Sequence, residues 1–102
     1  MGTTLDLQNE LKALLGSDNV YFQPPSNVNM HYPCFVFYRG SGSQMNANNY
    51  TYKFDKRYVV TYIGYDPDDD MVDRVVYHFQ MVKYDRHFVE DNLQHDVFSL
   101  YW

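Results

Sequence analysis

The sequence is poor in several kinds of residue, and each shortage excludes a class of protein. Its single cysteine, Cys34, cannot form a disulfide within the chain, so we expect packing to stabilise the fold. Lys and Arg number 8 against 13 Asp and Glu, and the net charge of -5 argues against a surface that grips nucleic-acid phosphates. No apolar run approaches the ~18 residues of a membrane span, and residues 1–16 lack the pattern of a secretory signal. We expect one soluble domain over residues 1–102, without a linker, that folds in the cytoplasm.

Two segments have apolar residues at helical spacing. In the first, Thr3 or Thr4 can cap the start, and Gly16 suits the left-handed residue that ends a helix. Its apolar face consists of leucines at i, i+4, i+7 and i+8, namely Leu7, Leu11, Leu14 and Leu15. The second helix follows a run of aspartates at residues 66–70. Its apolar face is predicted at Val72, Val75, Val76 and Phe79, and we expect the two helices to lie side by side.

Strands are predicted where Val, Tyr and Phe are concentrated. The first covers residues 19–22 and ends at two prolines, which cannot donate ladder hydrogen bonds. Residues 34–38 and 57–65 flank a polar stretch and should form a hairpin, with residues 40–49 as a mobile polar loop at its tip. A last pair of strands lies within 83–89 and 97–102, separated by residues 90–96. The predicted fold class is α+β, a mostly antiparallel sheet of four or five strands with two amphipathic helices packed on one face.

The predicted strands are apolar on both faces. Tyr58, Val60 and Tyr62 alternate with a second apolar set in the same strand, which includes Val59 and Ile63. Two short helices can cover only one face of such a sheet, so the other face is left to water or to another chain. Aromatic residues make up 19% of the chain, and tyrosine suits interfaces because it buries a ring while keeping a polar tip. The alternatives are an aromatic-rich monomer core and ordered association.

None of the candidate catalytic or metal motifs is complete. The acidic run "DPDDD" lacks the spacing of a calcium-binding loop, and capping of the second helix explains it. The four histidines include no pair at i, i+4 and no zinc motif, and the serines lie in no nucleophile motif. Cys34 lies in an apolar run and is interpreted as a buried residue, although an enzyme that uses it or a histidine stays a third alternative. We expect no enzyme activity, no cofactor and no metal.

Four blocks of the sequence resemble a known family. They are "NVYFQPP" at residues 19–25, "YPCFVFYR" at 32–39, "KRYVVTYIGYDPDDD" at 56–70 and "DNLQHDVFSLYW" at 91–102. In this order they resemble the small tail terminator, or tail-completion, proteins of long-tailed bacteriophages. Together the blocks extend over nearly the whole chain.

The resemblance implies a structural virion protein rather than an enzyme. Such a protein forms a ring, usually of six copies, at the head-proximal end of the tail, where it stops tube polymerisation and joins the tail to the neck. The implied partners are other copies of the chain, the major tail tube protein and a head-tail connector or stopper protein, with DNA passing through the lumen without specific binding. It also implies assembly in the bacterial host cytoplasm and a place in the virion at the head-tail junction.

Twelve residues are candidates for interfaces in that assembly. They come from the polar loop, which can order on reaching the tube or the neck, from the acidic run, and from the aromatic end of the chain. The residues are Arg39, Gly40, Ser41, Gly42, Ser43, Gln44, Asp66, Asp68, Asp69, Asp70, Tyr101 and Trp102. The alternatives are another connector or stopper protein of the neck, and a small cytoplasmic protein-binding module that is monomeric or dimeric.

Overall fold

A computed structural model describes residues 3–40, 46–47, 50–51 and 57–102. The elements within these residues are α1 (Thr4–Leu15), β1 (Val20–Phe22), β2 (Cys34–Arg39), β3 (Asn46–Ala47), β4 (Tyr50–Thr51), β5 (Arg57–Gly64), α2 (Met71–His78), β6 (Val82–Glu90) and β7 (Leu93–Tyr101). Five strands form one sheet in the order β1-β2-β5-β7-β6, while β3 and β4 pair with each other. Only β1 and β2 run parallel within the large sheet, so the predicted α+β class with a mostly antiparallel sheet is confirmed. In the described ranges, no helix is long and apolar enough to cross a membrane.

The first helix begins and ends where the sequence predicts. Thr3 is the N-cap, and its hydroxyl accepts the N–H of Asp6 at 3.1 Å while the Asp6 carboxylate accepts the N–H of Thr3 at 3.2 Å. This reciprocal capping box satisfies two N–H groups that the helix cannot pair internally. At the other end Gly16 has φ 82° and donates its N–H to the Lys12 carbonyl at 2.8 Å. The left-handed conformation is easy for glycine because it has no Cβ.

Both predicted strand pairs are confirmed, but the turn of the last hairpin is much shorter than predicted. β2 and β5 pair antiparallel, with Phe37 opposite Val60. In the last hairpin, β6 continues to Glu90 and β7 already begins at Leu93, so residues 90–96 are not a separating segment. The turn is only Asp91 and Asn92, with φ 56° and 63°. Asp and Asn tolerate the left-handed region, which a two-residue hairpin turn requires.

One face of the sheet shares a buried cluster with both helices and is called the core face below. The alternating sheet residues in this cluster are Val20, Phe35, Phe37, Tyr58, Val60, Tyr62, Phe98 and Leu100. The helices contribute Leu7, Leu11, Met71 and Val75, and Phe79 follows α2. The sequence predicts two apolar faces for β5 without saying which one faces the core, and the structure places Tyr58, Val60 and Tyr62 in the cluster. Cys34, Ile63 and Val97 are also buried, but they lie on the opposite face.

Most of the apolar face predicted for the second helix is confirmed, because Val75 and Phe79 are buried and Val72 packs against the cluster. Val76 is 38% exposed instead, and Met71, which was not predicted, is buried. Residues four apart stay near one side of a helix, while each single step rotates by about 100°, which turns Val76 away. The two helices are adjacent, as predicted, because Arg74 Nη2 of α2 donates to the Leu14 carbonyl of α1 at 2.8 Å.

Candidate interaction surfaces

The opposite face of the sheet carries apolar residues that are only partly covered. Val36, Val59 and Thr61 are half-buried, and Tyr38 at the end of β2 is 45% exposed. The prediction that this whole face is left to water or another chain needs a correction, because Cys34, Ile63, Val97 and Ser99 are already buried on it. The surface open to a partner is therefore the half-buried part of the face at Val36, Val59 and Thr61, with Tyr38 as its most exposed aromatic residue in β2.

A chain of hydrogen bonds crosses three strands on the opposite face. Arg57 of β5 donates from Nη2 to the Ser99 hydroxyl of β7 at 3.2 Å, and that hydroxyl donates to Asp85 Oδ2 of β6 at 2.6 Å. Ser99 is 6% exposed, so the charged groups at both ends satisfy the polar atom of a buried residue. Asp85 is the extra residue of a β-bulge, because Tyr84 pairs with Phe98 and Arg86 already pairs with Val97. The bulge turns Asp85 towards Ser99.

Gly40, the first residue of the predicted loop, lies next to Arg57 of this hydrogen-bond chain at the base of the hairpin. Gly40 donates its N–H to the Arg57 carbonyl at 2.8 Å, which closes the β2–β5 ladder. A Cβ on Gly40 would lie 2.8 Å from Arg57 Nη1, so glycine leaves room for the guanidinium. Arg39 is exposed, and its N–H donates to the Gln23 side chain at 3.3 Å. The other predicted loop residues, Ser41, Gly42, Ser43 and Gln44, lie outside the described residues, as does most of the predicted mobile loop 40–49.

The acidic run forms a turn that joins the sheet to α2. Asp69 Oδ1 accepts the N–H of Met71 at 3.0 Å, and Asp69 Oδ2 accepts the hydroxyl of Tyr62 at 2.6 Å. Asp66 Oδ1 accepts the N–H of Asp68 at 2.9 Å. Asp70 occupies the N-cap position but makes no side-chain cap bond. The expected capping role thus belongs to Asp69, while Asp66, Asp68 and Asp70 are exposed.

The aromatic end of the chain packs within its own subunit. Trp102 donates its indole N–H to the Thr3 carbonyl at 3.1 Å and meets Phe79 edge to face at 5.9 Å. Tyr101 is half-buried, lies opposite Arg57 and donates its N–H to the Met81 carbonyl at 2.9 Å. These contacts tie the last strand to the start of α1, and a role for either residue in an interface stays a prediction.

The predicted interface residues that the structure describes fall into two groups at opposite ends of the central strand. Gly40 and Tyr101 lie beside Arg57, where β5 begins. The acidic turn follows Gly64, where β5 ends. An eight-residue strand is roughly 24 Å long at about 3.4 Å per residue, so the two groups cannot form one compact site. They are better described as two poles of the subunit.

The cysteine and the histidines are the sequence candidates for a reactive or metal-binding site. Burial raises the pKa of the Cys34 thiol to about 12, so it is protonated at neutral pH and a poor nucleophile. In the part of the chain that the structure describes, no group of three or more His, Cys, Asp or Glu side chains is arranged to hold a metal ion. His95 stacks on Phe88 with ring centroids 4.6 Å apart, and His87 shares a hydrogen bond with Gln94 at 2.8 Å. Both histidines have cross-strand partners in the last hairpin.

Comparisons with known proteins give no family for this chain. No protein-family model, no curated protein and no solved structure matches it. The family resemblance carried by the four sequence blocks accordingly stays a prediction.

Sequence reasoning missed the hydrogen-bond chain through Ser99. Its members are 42 and 14 residues apart in sequence, and they meet only because β5, β7 and β6 are neighbours in the sheet. The bulge at Asp85 was also missed, because a one-residue irregularity leaves no clear mark in an apolar pattern. The one available signal was an Asp-Asn pair at the hairpin turn, which fixes the register of the two strands that carry Ser99 and Asp85.

Proposed function

We propose that this chain is a structural virion protein that forms a ring at the head-proximal end of a long-tailed phage tail. The ring caps the polymerising tail tube and joins the tail to the neck. The proposal combines the resemblance of the four sequence blocks with the surfaces described above. It assigns no reaction to the chain.

The observation that carries this proposal is the incompletely covered face of the sheet. The buried residues of both helices belong to the cluster on the core face, while the opposite face has half-buried Val36 and Val59 beside the exposed ring of Tyr38. A ring closes when one patch of each subunit contacts a different patch of the next, with a rotation that returns to the start. Burying these residues against a neighbouring subunit would remove apolar area from water, which favours association.

The two poles and the net charge support the same function. A ring between tube and neck needs contacts on both of its sides, and the candidate residues lie at both ends of β5, with Gly40 at one end and the acidic turn at the other. Six copies at -5 each would give the ring a formal charge of about -30. An acidic lumen would repel DNA phosphates and let DNA pass without binding.

The first test is the native mass of the purified protein, alone and with tail tube protein, together with negative-stain images. A species of about 73 kDa, six times the 12.2 kDa chain, or rings found only on tube ends with tube growth arrested, would support the proposal. A protein that neither forms rings nor caps tubes would favour a small protein-binding module instead.

A matched pair of substitutions tests whether the opposite face closes the ring. Tyr38→Arg changes an aromatic residue that is 45% exposed on this face, and Tyr77→Arg makes the same change on α2, where the residue is 86% exposed. Both variants should fold, since neither tyrosine is buried. We expect Tyr38→Arg to lose rings and Tyr77→Arg to keep them. Rings that survive in both variants would exclude this face as the ring contact.

Shortening the polar loop tests docking separately from ring closure. Replacing residues 41–48 by a short glycine linker leaves Gly40 and Arg57 in place, and their backbone hydrogen bond closes the ladder below the loop. We expect normal thermal unfolding, intact rings and no binding to tube ends. Loss of folding would show instead that the loop is structural.

A further inference from the structure

The outer strand β6 is a long and almost wholly exposed sheet edge. It has nine residues, whereas the strand at the other edge, β1, has three. Among the described residues no strand pairs with its outer side. Tyr84 is 40% exposed and Val89 55% exposed along it. Such an edge presents unpaired N–H and C=O groups to any strand that matches them.

The hydrogen bonds to β7 determine which backbone groups of β6 point outwards. Tyr101 donates to the Met81 carbonyl, so these two residues form a hydrogen-bonded pair. Such pairs alternate along antiparallel strands with pairs whose N–H and C=O groups point away. Val82, opposite Leu100, and Tyr84, opposite Phe98, therefore direct their backbone groups outwards.

Beyond the bulge the turn fixes the alternation again. Glu90 and Leu93 close a two-residue turn, and the closing pair of such a turn is hydrogen-bonded. By alternation His87 and Val89 direct their backbone groups outwards. The outward residues of β6 are thus spaced by two, three and two positions, and they are Val82, Tyr84, His87 and Val89.

This spacing selects the partner strand. A regular strand presents outward groups at every second residue, so it cannot match both sides of the bulge. The spacing of two, three and two reads the same in both directions. A second copy of β6 running antiparallel therefore matches all four outward residues in a single register, in which Val82 faces Val89 and Tyr84 faces His87.

The side chains in this register are complementary. Near the twofold axis Asp85 of each copy faces Arg86 of the other, and opposite charges across a sheet are favourable. Both side chains lie on the face opposite the core, because Asp85 bonds Ser99 and Arg86 pairs with Val97. On the same face, this register would place Lys83 of one copy opposite the Phe88 ring of the other. Each contact occurs twice, because the axis relates the two copies.

We propose that two copies of this chain pair antiparallel through β6 to form a continuous ten-stranded sheet. This inference does not rest on the proposed ring. A self-complementary contact closes at two copies, whereas a ring of equivalent subunits uses two different patches. The β6 pair is therefore a state of the free protein, or a contact between two rings, and it leaves the surface around Tyr38 uninvolved.

Amide hydrogen exchange by NMR at two protein concentrations tests this register residue by residue. In dilute protein the outward amides of Val82, Tyr84, His87 and Val89 should exchange fast, while those of their inward-facing neighbours are protected by β7. At high concentration all should become protected, and the mass should approach about 24 kDa, twice the 12.2 kDa chain. A monomer at every concentration would overturn the proposal. So would a dimer or ring in which the four outward amides still exchange fast, and the ring would at the same time support the proposed function.

Charge reversal provides the matched variants. Arg86→Asp places two like charges opposite each other twice, and we expect the dimer Kd to rise by roughly tenfold. Arg86→Gln removes the charge without reversing it and should raise the dimer Kd less than Arg86→Asp does. Arg39→Asp makes the same charge change at the exposed end of β2, away from β6, and should leave the dimer unchanged. Loss of dimer in Arg39→Asp, or a dimer Kd that is unchanged in Arg86→Asp, would overturn the assigned register.

Discussion

The two faces of the sheet differ in how they exclude water. On the core face, Phe35, Phe37 and Phe98 are completely buried in one cluster with both helices. On the opposite face, Val36 and Val59 are half-buried, and the buried hydroxyl of Ser99 is held between Arg57 and Asp85. The core face should therefore account for most of the free energy of unfolding. Substitutions of the half-buried residues on the opposite face should lower it less, so that these residues can serve binding.

The largest expected loss of stability comes from a comparison of two phenylalanines in the last hairpin, one on each face of the sheet. Phe98→Ala removes a completely buried ring from the core face and should lower the free energy of unfolding by about 3–5 kcal/mol. Phe88→Ala removes a half-buried ring that stacks on His95, and should cost about 1 kcal/mol. Urea unfolding followed by circular dichroism measures both. Equal losses would mean that the two faces contribute alike.

A second pair of substitutions, with smaller expected effects, compares the two faces within β5. Val60 is 1% exposed on the core face, and the adjacent Val59 is half-buried on the opposite face. Val60→Ala should cost about 2 kcal/mol, because it loses transfer energy and leaves a cavity, and Val59→Ala under about 1 kcal/mol. Because both changes reduce β-propensity equally, the difference in urea midpoints reports burial. A larger loss for Val59→Ala would contradict the assignment of faces.

The local elements could be predicted from the sequence, but the contacts that cross the sheet could not. The helix signals from Thr3 to Gly16 and the period of two in β5 are short-range patterns, so they predict a helix and which residues share a face. They do not say which face of β5 lies against the core, because both are apolar. The Ser99 hydrogen-bond chain and the bulge at Asp85 depend on register between strands distant in sequence. Register results from the whole sheet and from the Asp91-Asn92 turn, which no local apolar pattern reveals.

The acidic turn before α2 likewise depends on a contact that the sequence does not predict. The aspartates before α2 predict capping, but the sequence does not say which of them caps. Asp69 takes the role because Tyr62, reaching from the core face, donates to its second oxygen at 2.6 Å. Asp70, in the N-cap position, makes no such bond. The partner comes from tertiary structure, so the choice could not be predicted from the aspartate run alone.

Tyr62→Phe tests this link between the core face and the turn. It removes the hydrogen bond to Asp69 and keeps the ring, and we expect a loss of about 1.5 kcal/mol because the acceptor is charged. Tyr84→Phe is the matched control, since its hydroxyl bonds Asp96 at 2.8 Å but its side chain is 40% exposed. That variant should change the urea midpoint less. A larger change in the control would show that exposure does not weaken such bonds here.

The same two tyrosines give a pH dependence. Burial, followed by the hydrogen bond to Asp69 and the charge of that carboxylate, raises the pKa of Tyr62 far above its ordinary value of 10.0. Burial and then Asp96 raise the pKa of Tyr84 to about 12. The folded state holds these protons more tightly than the unfolded state, so their stabilisation is complete below pH 10 and is lost as pH rises above it. Above pH 10 the free energy of unfolding should therefore fall with pH, and we expect Tyr62→Phe to reduce the slope of this fall by at most about 1.4 kcal/mol per pH unit in urea unfolding experiments. An unchanged slope would contradict the role of Tyr62.

The smallest effect is expected where the two helices meet at the surface. His78 Nε2 and Glu10 Oε1 lie 2.7 Å apart, but the side chains are 41% and 44% exposed, so water and salt screen the pair. Glu10→Gln should lower the free energy of unfolding by no more than about 0.5 kcal/mol, and 1 M salt should remove the difference because the Debye length is then about 3 Å. A loss as large as that of Val60→Ala would mean that this contact, and not burial against the core face, holds α1 and α2 together.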